Sequence, residues 1–223
     1  MFRKTDQVIP IPLILTVGTA DRKQREKLER HQVILDAAQR LFIEQGVEKL
    51  NMRDVANAVE FSVGTIYLYF KDKNELLFAI QSRAFTRLAE QFDSVGSIPH
   101  PAGRLIAMNR QYLAFVFEHP ELYELLFIME GPMEAAQARG EAKPWATGYA
   151  AYQRVVAAVQ AGMDAGVFRQ RDAESAALMI WAQMHGLAAL YLKKRLVFFV
   201  EPRRQALIDG AMSLFNQFIS QSL

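Results

Sequence analysis

A chain of 223 residues, 51% of them hydrophobic, is long enough to bury one substantial core or two modest ones and lacks the composition of a disordered segment. It contains no cysteine, which excludes disulfide scaffolds, thiol catalysis and cysteine-based zinc sites, and its four histidines, His31, His100, His119 and His185, never fall at the i, i+4 spacing that puts two imidazoles on one helix face. The net charge of +2 selects no class of partner, and residues 1–75 carry twelve Lys/Arg against eleven Asp/Glu, so any attraction for nucleic acid has to come from where the charges lie.

Apolar residues come in interrupted patches and not in a run of ~18 or more, so no segment reads as a membrane span. Near the start, Arg3 and Lys4 precede a mostly apolar stretch from Val8 to Leu15 and then Gly18-Thr19-Ala20, an order that looks like a short signal peptide. Pro10 and Pro12 interrupt that stretch and Asp6 stands in its basic part, so residues 1–20 read as a flexible arm of a cytoplasmic protein.

From Asp21 onward apolar residues recur at three- and four-residue spacing and strand-like alternation is nearly absent, which predicts an all-α fold of about nine helices. The first runs from Asp21 to Gln45, with Ile34, Ala37, Ala38, Leu41 and Phe42 on one face and Gly46 as its stop. Its early part, Arg22-Lys23-Gln24-Arg25 with Lys27 and Arg30, has no apolar stripe. A second helix follows the cap Asn51 and ends near Val59, with Asp54 completing an approximate capping box; a third runs from Ser62 to Phe70, and a fourth from Asn74 to Phe92. The loop from Asp93 to Pro101 is the strongest break in the middle of the chain. Beyond it come helices from Ala102 to Glu118, a short one opened by Pro120, then Lys143 to Ala165, Ala173 to Lys194 and Pro202 to Ser220. Gly131-Pro132 and Gly140 predict a loop between 131 and 141, although its alanines allow a turn of helix.

Two short helices joined by about three residues between Asn51 and Phe70 have the geometry in which the second helix lies in a DNA major groove while the first braces it. Val55, Ala58 or Val59, Phe61, Ile66 and Phe70 would face inward, leaving Val63, Gly64, Thr65, Tyr67, Leu68 and Tyr69 outward. Gly64 permits close backbone approach, Thr65 and the tyrosines offer hydroxyls, and Val63 suits a thymine methyl. Arg53 can make a bidentate guanine contact, and Lys71 and Lys73 are placed for phosphates. The same pattern also fits an ordinary helical pair with its tyrosines in a core and its lysines solvated.

Asp54-Val55-Ala56, followed by Phe61-Ser62-Val63-Gly64-Thr65-Ile66-Tyr67-Leu68-Tyr69-Phe70-Lys71-Asp72-Lys73-Asn74-Glu75-Leu76-Leu77, resembles the signature of the TetR/AcrR family, and Ile34 to Phe42 with Gly46 fit that family's first helix. The resemblance implies a DNA-binding unit over residues 21–75 and an effector-binding, dimerising unit over 76–223. It places Arg53, Ser62, Val63, Gly64, Thr65, Tyr67, Leu68, Tyr69, Lys71 and Lys73 at the DNA, with Lys73 on a phosphate-binding lysine. Glu60 departs from the pattern: it stands where the family usually has glycine, so it has to take a left-handed conformation or shift the turn, and its carboxylate is unfavourable near DNA.

The last helix carries Leu207, Ile208, Ala211, Met212, Leu214, Phe215, Phe218 and Ile219, a stripe too wide for one neighbour, and the helix from Ala173 is apolar nearly all round. A two-fold dimer pairing both helices would cover them, with Ala177, Trp181, Met184, Ala188, Leu207, Ala211, Leu214, Phe215 and Phe218 at the interface. Trp181-Ala182-Gln183-Met184-His185-Gly186 is similar to the tryptophan-then-histidine-glycine motif of one subgroup, with Gly186 allowing close helix contact and His185 either a satisfied core residue or a ligand contact. Met108, Tyr112, Phe115, Phe127, Met129, Trp145, Tyr149 and Tyr152, together with Trp181 and His185, are candidates to line a cavity, and core packing accounts for them equally well. Few charges lie among them, so an effector would be apolar or aromatic, with Arg104, Arg110 and Arg154 the nearby cations for any acidic group. The sequence shows no P-loop, dinucleotide fingerprint or serine elbow, so neither an enzyme nor a cofactor is expected. The expected partners are a near-palindromic DNA operator, a second copy and a small effector, with control by a protein partner as the alternative.

Overall fold

A computed structural model describes residues 19–138, 140 and 145–221; of the arm expected over 1–20, residues 1–18 lie outside them, and Thr19 and Ala20 instead open the first helix. Ten helices follow in order: α1 (Thr19–Gln45), α2 (Met52–Ala58), α3 (Val63–Tyr67), α4 (Lys73–Ser94), α5 (Pro101–Glu118), α6 (Pro120–Phe127), α7 (Gly131–Ala138), α8 (Ala146–Asp164), α9 (Ala173–Leu192) and α10 (Arg203–Gln221). Among the described residues there is no strand.

Local chemistry sets most of the boundaries. Gly46 ends α1 at φ +78°, where a side chain would be strained, and its N–H bonds the Phe42 carbonyl at 2.9 Å. The Asn51 side chain accepts from the N–H groups of Arg53 and Asp54 at 3.1 and 3.0 Å, and its Nδ2 donates to the Asp54 carboxylate at 2.7 Å, which holds the capping amide in place. Ser62 caps α3, Asp72 caps α4 and Asp172 caps α9, each accepting from the N–H three residues on.

The extra helix is α7. Pro132 does not break it because it lies in the first turn, where a missing N–H is no loss, and Glu130 supplies the carbonyl that receives the N–H of Glu134 at 3.0 Å. The start expected for α8 at Lys143 falls outside the described residues, and the helix is seen from Ala146.

α4 is the spine: it packs against α1, α5, α6, α7 and α8. Ile34, Phe42, Val55, Ile66 and Phe70 close the core of the first three helices, and this core runs without interruption into Leu76, Ile80, Phe85 and Leu88 of α4 and on to α5, α8 and α9. Two polar fastenings hold α4. The Arg83 guanidinium reaches Asp36, Gln39 and Gln32 of α1. Buried Gln81 donates from Nε2 to the Leu125 carbonyl of α6 at 2.9 Å. That carbonyl needs an outside donor, because the N–H of Met129 bonds Glu124 instead.

α9 is long and apolar enough to cross a membrane by length and composition alone, with a mean hydropathy of 1.2; it packs beside α5 and α8, and 28% of that window is buried. Leu178, Met179, Leu190 and Tyr191 of this helix stand exposed.

Candidate DNA-reading face and ligand cavity

α3 is five residues long and shows a sharp division. Ile66 is 0% exposed, whereas Tyr67 is 49% and Leu68 80% exposed. Gly64 and Ser62 are also exposed, with Arg53 of α2 and Lys71 open on either side; Val63, Thr65 and Tyr69 are half-buried along the edge. Between Ala58 and Val59 the inward residue is Val59. Ser62 Oγ receives the Thr65 N–H at 3.0 Å and pairs with the Thr65 hydroxyl at 2.8 Å. Only one of those two hydroxyl protons is consumed between them, so the pair retains one to offer outward. Tyr69 leans towards His31 of α1, ring centroids 6.5 Å apart, while Phe70 lies 4.7 Å from the same ring. Burial beside these rings, aided by the Arg83 charge, lowers the His31 pKa and keeps the ring neutral against the base of α3.

Two expectations at this face are refined. Glu60 does take the left-handed conformation, at φ 57°, and the turn keeps its register. Lys73 is half-buried, with its ammonium donating to the Val47 carbonyl just past α1, so in the free protein it fastens the head and would have to release that carbonyl to meet a phosphate.

In the remaining helices Phe85, Leu88 and Phe92 of α4, Met108, Asn109 and Tyr112 of α5, Phe127, Trp145, Tyr152 and Val155, and Ile180, Trp181 and Met184 of α9 surround a narrow apolar cavity of about 50 Å³. A wider groove of about 640 Å³ lies alongside, lined by Met129, Met133, Leu178 and His185 and sharing Phe127, Trp145 and Trp181 with the cavity. The three shared aromatics are therefore a wall between the two spaces; the indoles of Trp145 and Trp181 stack at 5.9 Å. Of the sequence candidates, Met108, Tyr112, Phe127, Trp145, Tyr152 and Trp181 converge on the cavity, and Met129 and His185 on the groove. Phe115 instead lies in the core against His119, and Tyr149 is 52% exposed off the cavity wall, so neither is a lining residue.

None of the three expected cations lines the cavity. Arg154 forms a two-pronged pair with Asp93 at 2.9 Å on each prong, Arg104 donates to the Ile98 carbonyl at 3.0 Å, and Arg110 is exposed by α10. The polar groups present are different: His185 Nδ1 lies 3.1 Å from the Tyr112 hydroxyl and Nε2 3.3 Å from that of Tyr123. Burial lowers the His185 pKa and raises that of both phenols, so all three are neutral. Sequence reasoning missed Asn109 and the α4 contribution, Phe85, Leu88 and Phe92. The i, i+3 spacing of Asn109 from Tyr112 was the available signal, and an asparagine in an otherwise apolar helix face points the same way.

The expected interface also needs correction. Ala177, Met184 and Ala188 are buried in the chain's own core and Trp181 walls the cavity, whereas Phe215, although 9% exposed, lines a groove at the surface. The exposed apolar residues are Leu178, Met179 and Leu190 of α9, with Leu207 and Leu214 of α10; Ala211 is exposed beside them, and Phe218 is half-buried. Between the two helices runs a groove lined by Met179, Gln183, Ala211, Leu214, Phe215 and Phe218. Gly186 makes no close contact within the chain: a Cβ placed there meets no atom within 4 Å.

A short capped helix pair presenting an exposed aromatic face, set on a helical body with a walled cavity, defines the class of helix-turn-helix regulators. Residues 34–80 match the family described as "Bacterial regulatory proteins, tetR family" and residues 105–215 the "Tetracyclin repressor-like, C-terminal domain", and the chain belongs to the TetR family. An HTH-type transcriptional regulator of Staphylococcus aureus (strain bovine RF122 / ET3-1) is 30% identical over 90 residues, 40% of this chain and 49% of its own. The HTH-type transcriptional repressor KstR of Rhodococcus jostii (strain RHA1) is 38% identical over 89 residues, 40% of this chain and 39% of its own. The chain thus spans about half or less of the length of these curated relatives. A solved structure of a protein of unknown function from Rhodococcus sp. RHA1 superimposes with a TM-score of 0.70 at 24% identity, covering 86% of this chain and 94% of that one, which extends the likeness of fold through the body.

Proposed function

We propose that the chain is a ligand-responsive transcriptional repressor that binds a near-palindromic operator as a homodimer in the cytoplasm and is released by a small apolar or aromatic effector. The observation that carries DNA reading is the outer face of α3: Tyr67 and Leu68 stand exposed next to a fully buried Ile66, with Arg53 and Lys71 flanking them. Side chains left uncovered on so short and well-capped a helix suit insertion into a major groove, with Arg53 for a base edge and Lys71 for phosphate. In this reading residues 21–75 form the reading head and 76–223 the body. The C-terminal half is read as one with the tryptophan and histidine-glycine subgroup, on Trp181, His185 and Gly186.

Dimerisation is supported by the exposed apolar face of α9 and α10, with a groove between the two helices and Gly186 leaving room for close approach. Control by ligand is supported by α4, which carries Lys73 at the head and Phe85, Leu88 and Phe92 at the cavity. A ligand that displaces the aromatic wall shifts α4 against α1, where Arg83 fastens it, and so reweights two orientations of the head.

Fluorescence anisotropy on duplex DNA from the region upstream of its own coding sequence, beside scrambled DNA at two salt concentrations, tests the reading. Selective binding lost by at least about tenfold in Tyr67→Ala is expected, in line with ~1–3 kcal/mol for a base-reading contact. Equal, salt-sensitive binding to both duplexes would leave phosphate attraction alone. The narrowness of the cavity favours one second reading, control by a protein partner seated outside; no apolar compound would then alter operator affinity.

A further inference from the structure

From the cavity's polar atoms we infer that the ligand it admits is a neutral apolar molecule carrying a carbonyl oxygen, held by the side-chain amide of Asn109 and the hydroxyl of Tyr112. This rests on the reading of the cavity as the effector site and adds to it the chemical group that is recognised.

Asn109 is 5% exposed, lines the cavity, and its Nδ2 has no hydrogen-bond partner among the described residues. A buried amide donor without an acceptor is costly, and a fully packed apolar wall would have no use for one. Tyr112 follows one turn later on α5 and also lines the cavity, so the two polar groups lie on one helix face, about 5–6 Å apart at Cβ.

Proton counting at His185 fixes what Tyr112 offers. The neutral ring has one N–H and one lone pair, and each ring nitrogen faces a tyrosine hydroxyl. One tyrosine donates to the ring; the other receives the ring N–H and keeps its own proton. Tyr123 is 1% exposed and is not part of the cavity wall, so the arrangement that leaves no buried proton stranded has Tyr123 donating to Nε2 and Nδ1–H donating to Tyr112. The Tyr112 proton is then free for the cavity. Two neutral donors on one face select an acceptor oxygen. The nearby arginines are engaged or turned away, so a carboxylate would be buried without a counter-charge, and a ketone, ester or lactone is favoured over a free acid.

The test is calorimetric titration of the full-length protein with acetophenone, its near-isostere ethylbenzene, and benzoate. Methyl NMR locates each probe: Met108 and Met184 report the cavity, Met129 and Met133 the outer groove. Acetophenone is expected to bind roughly tenfold tighter than ethylbenzene, the size of two modest net hydrogen bonds, with shifts at Met108 and Met184. Asn109→Leu should remove several-fold of that preference while retaining ethylbenzene binding, and Asn109→Leu with Tyr112→Phe should bring the two compounds to parity. Equal affinities in the unmodified protein, tighter binding of benzoate, or shifts confined to Met129 and Met133 would each overturn the proposal while leaving ligand control open. Failure of all three probes to bind would instead take down the effector-cavity reading and this inference with it.

Discussion

α3 and α9 are opposite cases of how a helix acquires a function. α3 has five residues and almost no helical stability of its own; the Ser62 cap, the Asn51 cap on its partner and one inward anchor, Ile66, fix which way it faces. Its outward side chains are therefore decided by local chemistry. α9 has twenty residues, apolar nearly all round, and little in its own sequence says which stripe enters the core; the positions of α5 and α8 decide it. Where a helix is strongly two-faced its role can be read from the chain, and where it is uniform only its neighbours assign it.

The comparison can be broken most directly at adjacent residues. Ile66→Ala should destabilise the protein by about 2–5 kcal/mol, the usual loss for a buried aliphatic truncated to alanine, and DNA affinity should fall with it. Tyr67→Ala should lose DNA affinity with a melting temperature close to that of the unmodified protein. Thermal denaturation beside anisotropy separates the two, and a large loss of stability in Tyr67→Ala would mean that the face is packed and not presented. Next in size is Gln81→Leu, which strips the Leu125 carbonyl of its donor and should cost about 1–3 kcal/mol in chemical denaturation. Asn51→Ala should cost about 1 kcal/mol through the lost cap. An Asn51→Ala effect larger than that of Gln81→Leu would show that the local caps outweigh the tertiary fastening of α4.

The same contrast explains what could be read in advance. The ends of α1, α2 and α4 follow from Gly46, Asn51 and Asp72, which act within three or four residues of themselves. Gly131-Pro132 is a loop signal unless the proline falls in a first turn, and α7, which the alanines alone only allow, depends on Glu130 serving as the carbonyl before it. The aromatic candidates for the cavity were legible as a class, since large apolar side chains gather wherever helices pack. Their assignment was not: Phe115 enters the core and Tyr149 turns outward because of crossing geometry that spacing does not contain. Ala177, Met184 and Ala188 read as interface candidates for the same reason: an apolar stripe carries no signal of which side meets its own chain.

Glu60 sharpens the local half of the comparison with a smaller effect of opposite sign. At φ 57° an L side chain is strained by roughly 1–2 kcal/mol, and glycine relieves this while giving back part of it as unfolded-state entropy. Glu60→Gly should therefore stabilise by about 0.5–1 kcal/mol in chemical denaturation. It should also tighten DNA binding, more at low salt than at high, because a carboxylate beside the reading helix is removed.

The smallest expected effect is a pH dependence, and it concerns both regions at once. His31 against Phe70 in the head and His185 between two tyrosines in the body both have pKa values lowered in the folded state, in each case chiefly by burial. The unfolded chain therefore takes up protons first as pH falls below the ordinary histidine value of 6.5, so the folded state loses stability from there down to the depressed folded values and no further from these groups. Melting temperature should decline gently over that window. His31→Gln should remove the part belonging to the head, and His185→Gln the part belonging to the body. If only His31→Gln flattens the profile, the pKa of the ring between Tyr112 and Tyr123 is not lowered in the folded protein, and the ring takes up its second proton there as readily as in the unfolded chain. Once charged, both of its nitrogens would donate, leaving both phenol protons to find acceptors of their own, and the tyrosine beside the cavity would keep its proton irrespective of tautomer.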